Sequence, residues 1–470
     1  MVTYQDLLVV GDSDKDRAEF VRKVIKEHQA SNLYREAKIA DDYDRCRNTT
    51  TMEYQKYITD VTGAQYVDQL ATVHRSTSNF FSIFTTQLNQ YLLGNGVSWK
   101  NGEGERLGAD FDYSIQQAGK AALVCGVSFG FWNLDHLEVF RPYSKDNGCF
   151  APLYDEENGA LAAGVRFWQI DDSKPLRATL YELDGYTGFM WTKNAKMEPG
   201  KEWNVIDTGC YVKNKLPYKI KEVSTEADGV EIYAGENYPA FPIIPLWGNP
   251  YKQSELVGMR EKIDAYDFIL NGWEDDLDNA QLYWIIKGAG GMDDPDIRQF
   301  LDRLHTVHAA APGDGQEVEP VTVNIPVEAR EQLLSRLEKQ LYRDAMIMNP
   351  DDLASSAATA TQIRAAYERQ NVKADQLEYC VIDFINGIMT VAGIEDEPTF
   401  TRSTVVNTQE EVQTLVQAGT YLSDEYVTRK ILTLLGDGDQ ADEVIKQMDA
   451  LDAERINEAD ETEVTEGEAE

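Results

Sequence analysis

A stripe of apolar residues runs along the middle of the chain, after a run of prolines. Four prolines between positions 239 and 250 exclude a helix before that point, because proline lacks an N–H and fixes φ. Beyond them, apolar positions alternate at spacings of three and four, which places them on one helix face: Leu256, Met259, Ile263, Tyr266, Leu270, Trp273 and Leu277. The other face is acidic: Glu261, Asp264, Asp267, Asp275 and Asp278. The pattern predicts a helix over 252–279, about 40 Å long.

A second helix of the same kind returns along the chain after a short insertion. It opens at Pro326 and carries Leu334, Leu337 and Leu341 on one face. The insertion, 280–325, reads as a strand, a helix and two further strands, and Pro320 predicts a sheet edge. Fewer than fifty residues make a weak core alone. We therefore expect a small α/β unit between an outgoing and a returning helix.

The regions on either side of this pair differ in pattern. In residues 64–93 the apolar positions are spaced by three and four, which predicts a long helix ending at Gly94. His74 would lie on its packed face as a core or interface histidine. Residues 97–238 contain a helix and then short β-rich runs separated by turns, typical of an antiparallel sheet. Helices are predicted over 362–391, 408–419 and 423–435, and an acidic, disordered tail follows. The fold class is α+β.

Composition narrows the function. The 470-residue chain has a formal charge of −37 and 42% hydrophobic residues. Such an acidic surface repels nucleic-acid phosphates and anionic lipids, so a sequence-specific DNA binder and a membrane protein are both disfavoured. Five widely spaced cysteines fit reduced thiols. We see no signal peptide and no apolar run long enough to span a bilayer, which favours a cytoplasmic setting.

Motifs for catalysis or metal binding are not found in the sequence. There is no phosphate-binding loop and no nucleophile elbow. His305 and His308 lack a third ligand, and the stretch from Asp437 to Met448 fails as a calcium loop. We therefore expect no enzyme activity, no catalytic residue, no metal and no cofactor.

The order of motifs resembles the portal proteins of tailed double-stranded-DNA bacteriophages, of the siphophage type. Residues 91–97, YLLGNGV, are similar to a family motif at the end of a long helix, with Gly96 in place of the usual proline. The FPIIP block at 241–245, with Ser254 and 263–267, resembles the family's most recognisable region. Residues 349–351 and 400–411 match later parts. The resemblance spans roughly residues 30 to 450.

This resemblance implies a portal fold with an α/β wing, a two-helix stem, a small α/β clip, a tunnel loop and a helical crown. The implied divisions are an N-terminal arm (1–30), the wing (31–251), stem helix 1 (252–279), the clip (280–325), stem helix 2 (326–345), the tunnel loop region (346–361), the wing's long helix and strand (362–407), the crown (408–455) and a disordered acidic tail (456–470).

The resemblance also suggests site residues. Those facing DNA in the tunnel loop would be Asn349, Asp351, Asp352, Ser355, Ser356, Thr359 and Thr361. Those facing the channel from the stem would be Asp264, Asp267 and Asp275, and the stripe from Leu256 to Leu277 would pack against neighbouring stem helices. Those docking partners at the clip would be Trp284, Lys287, Asp293, Asp296 and Arg298.

The implied function is that of a structural ring at one capsid vertex, usually of twelve subunits. Double-stranded DNA would pass through it without sequence specificity during packaging and ejection. The implied partners are the terminase large subunit, the head-completion adaptor, and the major capsid and scaffolding proteins. The implied location is the virion, with assembly in the host cytoplasm. The alternative is a soluble helical scaffold or an enzyme without a recognisable motif.

Overall fold

The computed structural model describes residues 2–11, 13–59, 63–68, 73–192, 203–207, 209–225, 231–279, 283–287, 317–321, 326–349, 360–403, 408–435, 438 and 441–448. The chain divides into two compact units. The first comprises Met1–Ile347 and Val372–Arg402, and the second comprises Met348–Asn371 and Ser403–Glu470.

The helices of the first unit begin with α1 (Tyr4–Leu8), α2 (Asp14–Ala30), α3 (Asn32–Asp44) and α4 (Thr49–Met52). They continue with α5 (Phe80–Leu93), a 3-10 turn (Glu103–Leu107), α6 (Phe111–Cys125), α7 (Arg260–Asn279) and α8 (Val327–Ala345). Helix α9 (Ala360–Ala392) begins in the second unit and ends in the first. The second unit also holds α10 (Thr408–Ala418), α11 (Asp424–Leu435) and a helical segment over residues 441–448.

A six-stranded antiparallel sheet forms the largest part of the first unit. Its strands are β6 (Cys149–Tyr154), β7 (Leu161–Trp168), β8 (Leu176–Glu182), β9 (Gly185–Trp191), β10 (Trp203–Asp207) and β11 (Cys210–Lys213), in the order β10-β11-β9-β8-β7-β6. Helix α2 covers it through Phe20, Val21, Val24 and Ile25, which are buried together with Phe189. The apolar face of α2 therefore closes one side of this core.

A three-stranded sheet lies beside it, built from β4 (Val127–Asn133), β5 (His136–Phe140) and β14 (Ile243–Trp247) in the order β14-β4-β5. Aromatic rings fill the space between the two sheets, with the Phe129 and Phe150 centroids 4.7 Å apart. Helix α9 packs so closely that a Cβ on Gly130 would lie 2.3 Å from Phe384. The aromatics of this region are therefore core residues.

The remaining strands form two-stranded antiparallel pairs: β1 (Tyr57–Thr59) with β2 (Gln65–Val67), β12 (Lys219–Thr225) with β13 (Glu231–Glu236), β3 (Val97–Trp99) with β17 (Pro398–Phe400), and β15 (Tyr283–Lys287) with β16 (Glu317–Val321). The last pair joins α7 to α8 and places Trp284 opposite Pro320. The α+β fold class is confirmed, and the outgoing and returning helices are present.

Two helix predictions need correction. Helix α7 begins at Arg260 instead of 252, because Lys252 and Gly258 have left-handed φ values of 57° and 83°, which end a helix. The predicted helix over 64–93 is wrong before residue 80. Residues 65–67 form β2, and 73–79 are irregular, so His74 does not lie on a helix face.

Candidate functional site

The α7 helix is the centre of the candidate site, and the first question is what covers each of its faces. One face carries Asp264, Asp267, Asn271 and Asp275, spaced so that they line up along the helix. Asp264 accepts a hydrogen bond from the Tyr43 hydroxyl. Asp267 is 0% exposed and accepts from the Asn48 amide. This face is therefore covered by residues from the first eighty positions of the chain.

A short extended segment, His74–Ser78, lies along this face; we call it the strap. Its alternate N–H groups donate to three α7 side chains: His74 N to Asp275 Oδ1 at 2.8 Å, Ser76 N to Asn271 Oδ1 at 2.7 Å, and Ser78 N to Asp267 Oδ1 at 3.0 Å. The Asn271 amide donates back to the Ser76 carbonyl at 2.9 Å. The strap runs antiparallel to α7, and side chains take the place of a partner strand.

The residue spacing of the strap and of α7 explains why these three hydrogen bonds from strap N–H groups, which we call the ladder, form together. Two residues of extended chain advance about 6.6 Å, and four residues of helix advance about 6.0 Å. Donors at every second strap residue therefore match acceptors at every fourth helix residue. The Asp267, Asn271 and Asp275 side chains satisfy backbone groups of an irregular segment that would otherwise lack partners.

The two carboxylates of the ladder differ in their ionisation. Burial raises the pKa of Asp267, and hydrogen bonds from Asn48 and Ser78 oppose that shift only in part. Burial also acts to raise the pKa of Asp275, but the Lys56 ammonium and the two His74 donors outweigh it and hold that pKa below its usual value. The Lys56 Nζ lies 2.7 Å from Asp275 Oδ2. Both acids are buried, but a neighbouring cation lowers the pKa at the Asp275 end of the ladder and burial raises the pKa at the Asp267 end.

These contacts correct the expectation that Asp267 and Asp275 face a channel, whereas for the half-buried Asp264 it stays a prediction. Asp267 and Asp275 are buried, and Asp264 is held by Tyr43. A carboxylate covered by its own protomer has no open side to present to DNA. Asn271 and the strap were not among the predicted site residues. The signal was present as three polar residues four apart on α7, although their partners lie about 200 residues away in sequence.

The apolar stripe of α7 lies on a different face and is mostly covered within the protomer. Leu256, Met259 and Ile263 are buried. Tyr266 contacts the Phe80 ring at a centroid distance of 5.0 Å. Leu277 is 57% exposed, and Leu270 and Trp273 are half-buried. The first half of the stripe therefore packs inside the protomer, and packing of the second half against neighbouring stem helices stays a prediction.

Helices α7 and α8 form an antiparallel pair with a fixed register. Lys262 Nζ lies 2.6 Å from Asp344 Oδ2 near the base of the pair. One turn before the end that carries β15–β16, Arg330 pairs with Asp276. The two ion pairs are separated by the same number of residues on α7 and on α8, as an antiparallel pair requires. Sliding one helix along the other would therefore break both ion pairs.

The other predicted site residues fall at or beyond the limits of the described chain. Trp284 and Lys287 lie on β15, whereas Asp293, Asp296 and Arg298 lie outside the described residues. In the tunnel loop region, Asn349 is buried, which does not fit a residue facing DNA. Asp351, Asp352, Ser355, Ser356 and Thr359 lie outside the described residues, and Thr361 lies in the first turn of α9.

The described part of the chain was compared with the requirements of a metal site and of a membrane-spanning helix, and it meets neither. No group of three or more His, Cys, Asp or Glu side chains there is arranged to hold a metal ion. Among the helices of the described ranges, none is both long and apolar enough to cross a membrane.

In the first unit, an antiparallel helix pair leads from the region of the two sheets to the paired strands β15 and β16. The chain belongs to the family described as phage portal protein, SPP1 Gp6-like, which it matches over residues 13–460. It is a phage portal protein, and proteins of this family are structural components of the capsid vertex.

Individual relatives agree. The chain is 24% identical over 458 residues to the portal protein of Bacillus phage SPP1, covering 88% of this chain and 83% of that one. It is 26% identical over 206 residues to the portal protein of Clostridium phage phiCD119, covering 41% and 46%. Among solved structures, the necks of empty and of native gene transfer agent particles, computed with C6 and C12 symmetry, each align at a TM-score of 0.41 and 13% identity. The alignments cover 75% and 74% of this chain and 90% and 89% of those chains.

Proposed function

We propose that the chain assembles into a closed ring of twelve copies around a channel for double-stranded DNA. The observation that carries the proposal is the α7–α8 pair, whose register is fixed by two ion pairs and whose far end carries β15–β16. This pair would be the stem, and β15–β16 part of the clip. Membership of the portal family supports the same assignment.

The charge of the chain fits a conduit through which DNA must slide. Each lysine or arginine held against a phosphate releases counterions and strengthens binding, so a cationic wall would retain the duplex. The protomer carries a formal charge of −37, and residues 349–361 contain no lysine or arginine. We propose that this tunnel loop region passes DNA without sequence preference and without a catalytic role.

The clip is the proposed docking site for the terminase large subunit during packaging and for a head-completion adaptor afterwards. The wing is the proposed contact for major capsid and scaffolding proteins, with assembly in the host cytoplasm. The position of β15 and β16 between the ends of two long helices, α7 and α8, supports this division. Trp284 and Lys287 are the described clip candidates.

The ring is tested on the purified full-length chain by light scattering and negative-stain imaging. We expect particles of about twelve times the 53.0 kDa protomer with a central hole. A monodisperse 53.0 kDa species under every assembly condition would contradict the ring and favour an ordinary soluble scaffold.

Two variants test the proposed parts within the phage. Shortening residues 353–359 should leave rings intact and impair DNA packaging, and normal packaging would reject the tunnel-loop assignment. Trp284→Glu should leave rings intact and weaken motor docking, measured as terminase co-sedimentation with rings. Undiminished co-sedimentation would remove Trp284 from the clip's docking surface.

A further inference from the structure

Aromatic side chains on and beside the β1–β2 hairpin are exposed in the described part of the chain. Tyr57 is 60% exposed and Tyr66 is 57% exposed, and Val67 and Tyr54 are also exposed. Tyr57 pairs directly with Val67 across the two strands, so both lie on one face, and Tyr66 lies on the other. A two-stranded hairpin is only marginally stable by itself. This hairpin therefore needs a partner surface.

The outer face of α8 has the opposite chemistry. Arg336, Lys339 and Arg343 lie on the side away from the buried Leu334 and Leu341, and all three are exposed. Arg336 and Lys339 form no ion pair with any side chain in the part of the chain that the structure describes. In a chain with a formal charge of −37, Arg336 and Lys339 make this face locally cationic, whereas Arg343 Nε lies 3.5 Å from Asp344 Oδ1.

These two surfaces lie on different sides of α7. The hairpin segment approaches α7 at Phe268, whose ring lies 5.1 Å from that of Tyr54. Helix α8 approaches at Lys262 through Asp344. At 100° per residue, Phe268 and Lys262 point about 120° apart around the helix. The protomer thus presents an aromatic surface on one side of α7 and a cationic surface on the other.

A closed ring requires two different patches on each copy that fit one another, because every subunit meets its two neighbours through different surfaces. Tyrosine rings attract guanidinium and ammonium groups through their π faces. The exposed Glu53, at the end of α4 beside the hairpin, adds a carboxylate to the aromatic side. We propose that the β1–β2 hairpin of one copy packs against the outer face of α8 of the next copy. This inference rests on the proposed ring.

The contact is tested by disulfide trapping in full-length rings. The background is Cys46→Ser, because Cys46 is an exposed native thiol. Tyr57→Cys combined with Lys339→Cys should give, under oxidation, a ladder of cross-linked oligomers on a non-reducing gel. The matched control combines Lys339→Cys with Tyr113→Cys, which replaces an equally exposed tyrosine on α6 and should give no ladder.

The outcomes separate this inference from the ring itself. Rings without a ladder, or a disulfide confined to single protomers, overturn the hairpin–α8 contact and leave the ring standing. A wild-type chain that forms no rings overturns the ring. A charge series covers the case in which the cysteine variants misassemble. Lys339→Glu should raise the concentration needed for assembly about tenfold or more, through repulsion of Glu53, and Glu53→Lys should restore assembly. Unchanged assembly by Lys339→Glu overturns the contact.

Discussion

Removing the middle rung of the ladder between the strap and α7 gives a direct test of its contribution. In Asn271→Ala, the Ser76 N–H loses an acceptor at 2.7 Å, and the Ser76 carbonyl loses a donor at 2.9 Å. Each such bond contributes about 0.5–1.5 kcal/mol net, so the strap should lose about 1–3 kcal/mol of protection against local opening. Because 1.4 kcal/mol is a factor of ten, the Ser76 amide should exchange about five- to 150-fold faster.

Hydrogen exchange followed by mass spectrometry on the full chain measures this at the peptide containing 73–79. The matched control is Asn386→Ala, the same substitution at an exposed position of α9. The control should leave strap exchange unchanged, because its side chain is not part of the ladder. If the strap of Asn271→Ala exchanges at the wild-type rate, the ladder does not hold the strap, and the account given for the α7 acids fails.

Two further predictions concern the same region and the core. Because the pKa of Asp275 is lowered in the folded state, Asp275 adds to the free energy of unfolding above about pH 4, and this contribution is lost as pH falls further. Because the pKa of Asp267 is raised, its contribution is present at low pH and is lost as pH rises. Asp275→Asn should flatten the acid limb of a stability–pH curve, and Asp267→Asn should reduce the decline above pH 4; identical slopes would refute both. Gly130→Ala should cost about 1–3 kcal/mol by driving a methyl into Phe384, whereas Gly272→Ala, with open space, should stabilise α7 by up to about 1 kcal/mol, both measured by thermal unfolding.

Much of the helical architecture could be read from the sequence because it depends on local periodicity. The bounds of α8 and α11 fall within a residue or two of the predicted segments, since apolar spacing and caps are properties of neighbouring residues. Strand β14 was missed because two prolines mark its region. Its position at the edge of the three-stranded sheet explains how Pro245 is tolerated without an N–H.

The candidate site was harder to predict because its partners are distant in sequence. The acidic face of α7 reads as solvated, as most charged helix faces are. Nothing local indicates that Tyr43, Asn48 and the strap fold back over it. Likewise, the apolar spacings of three and four over 64–79 imitate a helix, yet residues 65–67 form β2 and alternate N–H groups of the strap donate to α7 side chains. Periodicity identifies a face but does not identify what covers that face.

The ladder also fixes the number of residues in the part of α7 between Asp267 and Asp275. One inserted residue between Asp267 and Asp275 would rotate all later side chains by about 100° and separate acceptors from strap donors. The ion pair of Asp276 with Arg330 extends the same requirement across to α8. Residues can be added to α7 without breaking these contacts only beyond the Asp276–Arg330 ion pair, and only when α8 gains a matching number of turns. Variation in how far the helix pair reaches is therefore confined to its outer end, next to β15–β16.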